Sequence, residues 1–170
     1  MDALVPRLQS VRRSVTSPTI AALLCLALGG CASPPTRSQY VQRADAICAG
    51  ALRAVRSLPQ PQVGGAADAR LRSLHAYLEQ ALPLVRAQAR QLRALERPQL
   101  TAVQAAALER YLDALGRAND GLAALAVAAG RGDAAAVAAL ESKLSATDLG
   151  AAAARALGLK VCGSAGATVG

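Results

Sequence analysis

Apolar residues recur at every third or fourth position along four segments of the chain, which is the spacing that gathers them on one face of an α-helix. The first segment covers residues 39–58 and ends in a Leu-Pro-Gln-Pro loop, because proline cannot continue a helix. The second covers residues 71–92. Pro83 lies inside it without changing the phase of the apolar stripe, which predicts one kinked helix.

The third and fourth segments carry signals for where each helix begins. Thr101 and Gln104 have the spacing of a capping box, and the stripe that follows extends to Ala129. A Gly-Arg-Gly connection then leads to Asp133, a good N-cap for a fourth helix that ends at Gly158. Because the connections are short, we predict an all-α fold in which the four helices pack as an up-down-up-down four-helix bundle.

Residues 1–30 have the organisation of an export signal. Three arginines precede nine apolar residues, Ile20 to Leu28, too few for the roughly 20 that span a bilayer as a helix. Leu28, two glycines and Cys31 resemble the lipobox of bacterial lipoproteins. The resemblance implies cleavage before Cys31 and lipidation of its thiol, which anchors the protein at the extracytoplasmic face of the cell membrane. A soluble secreted protein, cleaved elsewhere, is the alternative.

Composition narrows the fold and the class of function. Hydrophobic residues make up 53% of the 170 residues but aromatic residues only 2%, with three Tyr, no Phe and no Trp. This argues against a strand-rich fold and against a large aromatic-lined pocket. The net charge is +8, yet we expect no nucleic-acid partner, because the chain is exported and lacks aromatic side chains on which bases stack.

Only one candidate disulfide pair remains among the cysteines when the leader is processed as expected. Cys25 leaves with the leader and Cys31 is acylated, so Cys48 and Cys162 remain in an oxidising compartment. We predict that these two form a disulfide that joins the first helix to the segment after the fourth. The alternatives are a reactive thiol and a metal site, although a metal needs more ligands and the chain has a single histidine.

The segments around these two cysteines, residues 40–48 (YVQRADAIC) and 156–163 (ALGLKVCG), are similar to the two ends of small helical lipoproteins found in high-GC Gram-positive bacteria. The resemblance implies the same disulfide and a helical bundle, and it supplies no mechanism. The expected organisation is a signal peptide over 1–30, a tether over 31–38, the bundle domain over 39–163 and a flexible tail over 164–170.

No group of residues has the spacing that catalysis or metal binding needs. His75 is the one candidate for acid–base chemistry by residue type and Glu79 lies one turn further on, but no nucleophile or second base accompanies them. Asp113 is three or four residues from Arg110 and Arg117, which is the spacing of exposed helix pairs. We therefore predict that the protein is not an enzyme and uses no cofactor and no metal.

A basic stripe is predicted along the second helix. Its members recur at intervals of three or four residues: Arg86, Arg90, Arg93 and Arg97. Arg86 and Arg90 have no acidic residue three or four positions away. One interpretation is contact with anionic lipid headgroups or wall polymers, at about 1 kcal/mol per basic residue. The alternative is an ordinary solvated helix face.

Asn119 is a polar residue on the apolar face of the third helix, between Leu115 and Leu122. A buried amide is costly unless it is hydrogen-bonded. Asn119 therefore either pairs across the bundle and fixes its register, or it reaches water beside Asp120 and Gly121.

These features favour a lipid-anchored, non-enzymatic envelope protein with a structural role or an adaptor role towards an unidentified protein partner. A first alternative is a carrier that holds a small apolar molecule between its helices. The core looks too small for that, and a cavity of several hundred Å³ would support it. A second alternative is an accessory subunit of an envelope enzyme, which a cleft joining His75 to a carboxylate would support.

Overall fold

The structure is a computed structural model that describes residues 33–146 and 150–164. All regular secondary structure in these two ranges is helical: α1 (Arg37–Arg56), α2 (Ala67–Ala94), α3 (Ala102–Gly130), α4 (Ala134–Ala146) and α5 (Ala151–Ala156). The all-α prediction is therefore confirmed. No helix in the described ranges combines the length and the apolar character that crossing a membrane requires. The leader, Cys31 and the tail from residue 165 lie outside the described residues.

Capping boxes begin both α1 and α3. The Thr101–Gln104 box is present as predicted. At α1, Thr36 Oγ1 accepts a hydrogen bond from the Gln39 N–H at 3.2 Å, and Gln39 Oε1 accepts one from the Thr36 N–H at 2.8 Å. These bonds satisfy N–H groups that an uncapped helix leaves free. The first helix therefore begins at Arg37, inside the segment that the sequence predicted as tether.

The second helix continues through Pro83 as one element, as predicted, but the fourth predicted helix is divided into α4 and α5. Gly150 precedes α5 with a φ of +82°, a left-handed conformation that does not continue an α-helix. A Cβ at this position would lie 3.0 Å from Ala114 Cβ and 3.1 Å from Tyr111 Cδ2. The prediction of one continuous helix is therefore wrong, because the chain turns at Gly150 in close contact with α3.

The disulfide prediction is confirmed. Cys48 of α1 is bonded to Cys162, and their Cα atoms are 5.4 Å apart, which is a normal separation for a disulfide. α3 contacts α2, α4 and α5, and α1 packs on α2. The described residues from Pro34 onward form one compact unit, and their buried hydrophobic side chains extend from Tyr40 to Cys162. This unit therefore contains a complete core of its own.

The buried side chains form two clusters at different levels along α3. The first surrounds the disulfide and includes Tyr40, Cys48, Leu92, Leu108, Tyr111 and Leu159. The second includes Val55, Tyr77, Leu78, Leu82, Leu125 and Val137. Between Ala114 and Leu125, no residue of α3 is buried. The core is therefore interrupted in the middle of this helix.

Candidate functional site

A cavity of about 590 Å³ lies where the core is interrupted. Its lining comes from both core clusters and from the intervening part of α3, and is mostly apolar, with Leu78, Val85, Leu115, Leu122, Leu125 and Leu144 among its residues. The volume falls within the range of about 300–1,000 Å³ that is typical of small-molecule sites. The expectation that the core is too small for a cavity is therefore wrong.

Small side chains account for the empty volume. Half of the positions from 115 to 124 on α3 are Gly or Ala, and the chain has no Phe or Trp that could fill the space. Larger buried residues pack on either side of this stretch, with Tyr111 in the first cluster and Tyr77 in the second. Ala118, a small residue of this stretch, lines the cavity and leaves space that a larger side chain would fill, whereas Gly121 lies against Leu144 of α4.

Two half-buried amides add polar groups to the lining. Gln88 Nε2 donates a hydrogen bond to Cys48 Sγ at 3.2 Å. Asn119 forms no side-chain hydrogen bond within the described ranges, and it lines the cavity. The interpretation that the Asn119 side chain pairs across the bundle is therefore not supported within the described ranges. Its amide is available to a molecule in the cavity.

One end of the cavity reaches the disulfide, because Tyr111 and Cys162 both belong to its lining. The Tyr111 hydroxyl lies 3.7 Å from Cys48 Sγ, and it is the donor because a disulfide sulfur carries no hydrogen. Burial, followed by the effects of nearby Tyr40 and Asp45, raises the pKa of Tyr111 above its ordinary value. The phenol therefore remains a neutral donor throughout the neutral and mildly alkaline range.

Asp45 supports this end of the site and was missed by sequence reasoning. Its carboxylate accepts hydrogen bonds from the backbone N–H groups of Lys160, Val161 and Cys162, at 2.9, 2.9 and 3.2 Å. These bonds hold the segment after α5 against α1, next to the disulfide. A signal was available: Asp45 is three residues before Cys48 and therefore lies on the same helix face as the cysteine.

The predicted basic stripe is shorter than the sequence pattern indicated. α2 ends at Ala94, so Arg97 lies beyond the helix and does not continue the stripe. Arg97 instead forms an ion pair with Glu109 of α3, with 2.5 Å between Nη1 and Oε1. The prediction that Arg97 belongs to the stripe is wrong, because the chain turns before this residue.

The three remaining arginines lie on α2 and are exposed. Arg93 Nη2 donates a hydrogen bond to the Leu112 carbonyl of α3 at 3.1 Å, and its guanidinium group lies next to Gly116. Arg86 and Arg90 form no ion pair in the part of the chain that the structure describes. These two are the members of the stripe that remain available to an anionic surface, and such contact stays a prediction.

His75 lies outside the cavity lining. It is half-buried, its Nδ1 is 3.0 Å from the Ala126 carbonyl oxygen, and its ring packs against Gly130. Glu79 is exposed and does not line the cavity either. Within residues 33–146 and 150–164, no three His, Cys, Asp or Glu side chains come together in a way that could hold a metal ion. The cavity therefore does not join His75 to a carboxylate.

The chain matches no protein-family model, no curated protein and no solved structure. The resemblance to small helical lipoproteins and the lipobox at Cys31 therefore stay predictions from the sequence.

Proposed function

We propose that this chain is a lipid-anchored, non-enzymatic envelope protein that holds a small apolar molecule between its helices. The single observation that carries the proposal is the cavity of about 590 Å³ with its mostly apolar lining. Transfer of an apolar molecule from water into such a lining is favourable, because it lowers the free energy of the system. Among the roles that the sequence suggested, the carrier is the one that requires a cavity of several hundred Å³, and the cavity between the helices has that size.

Binding of a neutral apolar fluorophore, N-phenyl-1-naphthylamine, to the oxidised fragment of residues 33–170 tests the cavity. This fragment contains the whole described core and the disulfide. Ala118 lines the cavity on α3, so Ala118→Trp is expected to occupy the space and abolish binding. Ala105→Trp is the matched control, because Ala105 is exposed on the same helix and lies outside the lining.

Circular dichroism should show the same helix content for both tryptophan variants and the wild type. A fluorophore that binds Ala118→Trp as tightly as the wild type would contradict the location of the site. A wild-type fragment that binds no fluorophore would contradict the proposed function.

The proposed anchor is the lipid on Cys31, and it places the cavity where apolar molecules concentrate, at the membrane surface. Cys31→Ala is expected to block processing of the leader or to release a soluble form. Membrane fractionation and the mass of the mature N-terminus measure both effects. A variant that is cleaved at the same bond and stays with the membrane would contradict lipidation at Cys31.

The proposal includes an up-down-up-down arrangement in which α4 and α5 together form the fourth element. The contacts of α1 with α2, α2 with α3 and α3 with α4 support it, as do the short connections between these helices. Distances between pairs of spin labels at the ends of neighbouring helices test it. A neighbouring pair that runs parallel would contradict the arrangement.

A second candidate function, contact with an anionic surface, is favoured by Arg86 and Arg90, which are exposed and form no ion pair with any described residue. Changing both to Gln should weaken binding to phosphatidylglycerol vesicles by about 2 kcal/mol at low salt, or about thirtyfold. Changing Arg70 and Arg72, also exposed on α2, gives a control with the same net charge. Equal binding by the two double variants would leave Arg86 and Arg90 as solvated surface residues.

A further inference from the structure

The cavity lining has a charge opposite to that of the chain. From Cys31 onward, the sequence carries 16 basic and 10 acidic side chains. No Arg or Lys is among the described residues that line the cavity, whereas Glu141 is. The described part of the lining therefore offers a ligand one carboxylate and no cation.

Glu141 is placed to meet the polar end of a bound molecule. It is exposed on α4, one turn before Leu144 and Ser145, which also line the cavity. Glu141 forms no ion pair within the described ranges. Its carboxylate therefore lies at the solvent-exposed rim, while Leu144 on the same helix faces the interior.

The deeper lining cannot hold a charge of either sign. Its polar groups are the neutral amides of Gln88 and Asn119 and the neutral phenols of Tyr77 and Tyr111, set among mostly aliphatic side chains. Burying an ion without a partner is far more costly than leaving it at the rim. A charged ligand head must therefore stay near Glu141, and only an uncharged body can enter.

We propose that the ligand is a cationic amphiphile, in its simplest form a long-chain amine, whose head pairs with Glu141 and whose apolar body occupies the cavity. This inference rests on the proposed function, that the cavity holds an apolar molecule, and adds the charge class of that molecule. An acid of the same chain length meets a carboxylate at the rim and no compensating cation. An alcohol gains the apolar contacts alone.

Displacement of N-phenyl-1-naphthylamine by dodecylamine, dodecanol and dodecanoic acid, at neutral pH and low salt, measures the preference. We expect the amine to bind about two- to fivefold more tightly than the alcohol, and the acid to bind more weakly than the alcohol by about the same factor, as for exposed ion pairs. The net positive charge of the fragment would by itself favour the acid. The expected order is therefore the reverse of the order that net charge alone produces.

Glu141→Gln should make the amine and the alcohol bind equally, and leave the affinity for the alcohol unchanged. Glu79→Gln is the matched control, because it removes the same charge from an exposed position outside the lining. In the wild type, added salt should reduce the preference for the amine and not the binding of the alcohol.

The outcomes separate the two proposals. If all three compounds bind and the acid is the tightest, or the amine and alcohol are equal in the wild type, the cationic head is wrong and the cavity function stands. A preference for the amine that survives in Glu141→Gln would overturn the role of Glu141. If neither the fluorophore nor any of the three compounds binds, the proposed function fails with it.

Discussion

Breaking the Cys48–Cys162 disulfide is expected to reduce the free energy of unfolding by about 4–5 kcal/mol, since the bond joins residues 114 positions apart and the chain-entropy estimate applies to a loop of that size. For a domain of this length, the loss corresponds to a melting temperature lower by about 15 °C. The loss is large compared with the net stability of about 5–15 kcal/mol that is typical of whole domains.

Helix content should change little at 25 °C when the bond is broken. Asp45 still accepts three backbone hydrogen bonds from the segment that contains Cys162, so this segment remains held against α1. The second core cluster includes neither cysteine. Reduction therefore acts on the entropy of the unfolded chain more than on the native contacts.

Thermal melts followed by circular dichroism, with and without reductant, measure the effect. A variant carrying both Cys48→Ser and Cys162→Ser is the control: it should melt at the lower temperature and should not respond to reductant. Two free thiols in the mass of the unreduced domain, isolated from cells that express the full chain, would refute the bond in the natural protein. A melting temperature that reductant leaves unchanged would refute its stabilising role.

Three further predictions concern Asp45, two glycines within helices, and the three tyrosines. Asp45→Ala should lower the unfolding free energy by about 2–3 kcal/mol in urea titrations, because it leaves three backbone donors without their carboxylate; a loss below about 0.5 kcal/mol would contradict this. Gly50→Ala should stabilise the protein by about 1 kcal/mol, because nothing lies within 4 Å of the added methyl group. Gly121→Ala should give no such gain, since its methyl group would lie 2.6 Å from Leu144 Cδ2, and equal gains at the two glycines would refute this packing. The fold raises the pKa of all three tyrosines above 10.0, so the stability that the tyrosines contribute should be constant below about pH 10 and fall above it, because the unfolded state loses phenolic protons first. Phenolate absorbance against pH checks the sign: native protein that titrates with the denatured chain would contradict it.

The periodic part of the fold could be predicted from the sequence because its signals are local. Apolar stripes located the long helices, and the Thr101 capping box located the start of α3. The break before α5 was missed because Gly150 is followed by four alanines, which fit a continuing helix equally well. The helix is interrupted where Gly150 closely approaches Tyr111, and this contact joins residues that are far apart in the chain.

The site was harder to predict than the fold, for a related reason. Composition indicates which side chains are small, but whether they leave a cavity depends on which helices face them, and only the fold brings Tyr77 of α2 and Tyr111 of α3 into one lining. The role of Asp45 was hard to predict for the same reason, because the backbone groups that it binds are more than a hundred residues away in the chain. No sequence motif includes Glu141, and only the position of α4 in the fold brings this residue to the cavity.

The disulfide makes almost the whole domain a covalent ring. The loop between α1 and α2 is largely exposed, with Val63 at 93%, so a protease would meet this loop readily. One cut anywhere between Cys48 and Cys162 leaves two fragments that are still joined through sulfur. If Cys31 carries the anchor, a nicked molecule stays on the membrane with both fragments. Release of the C-terminal fragment then requires a reductant as well as a protease.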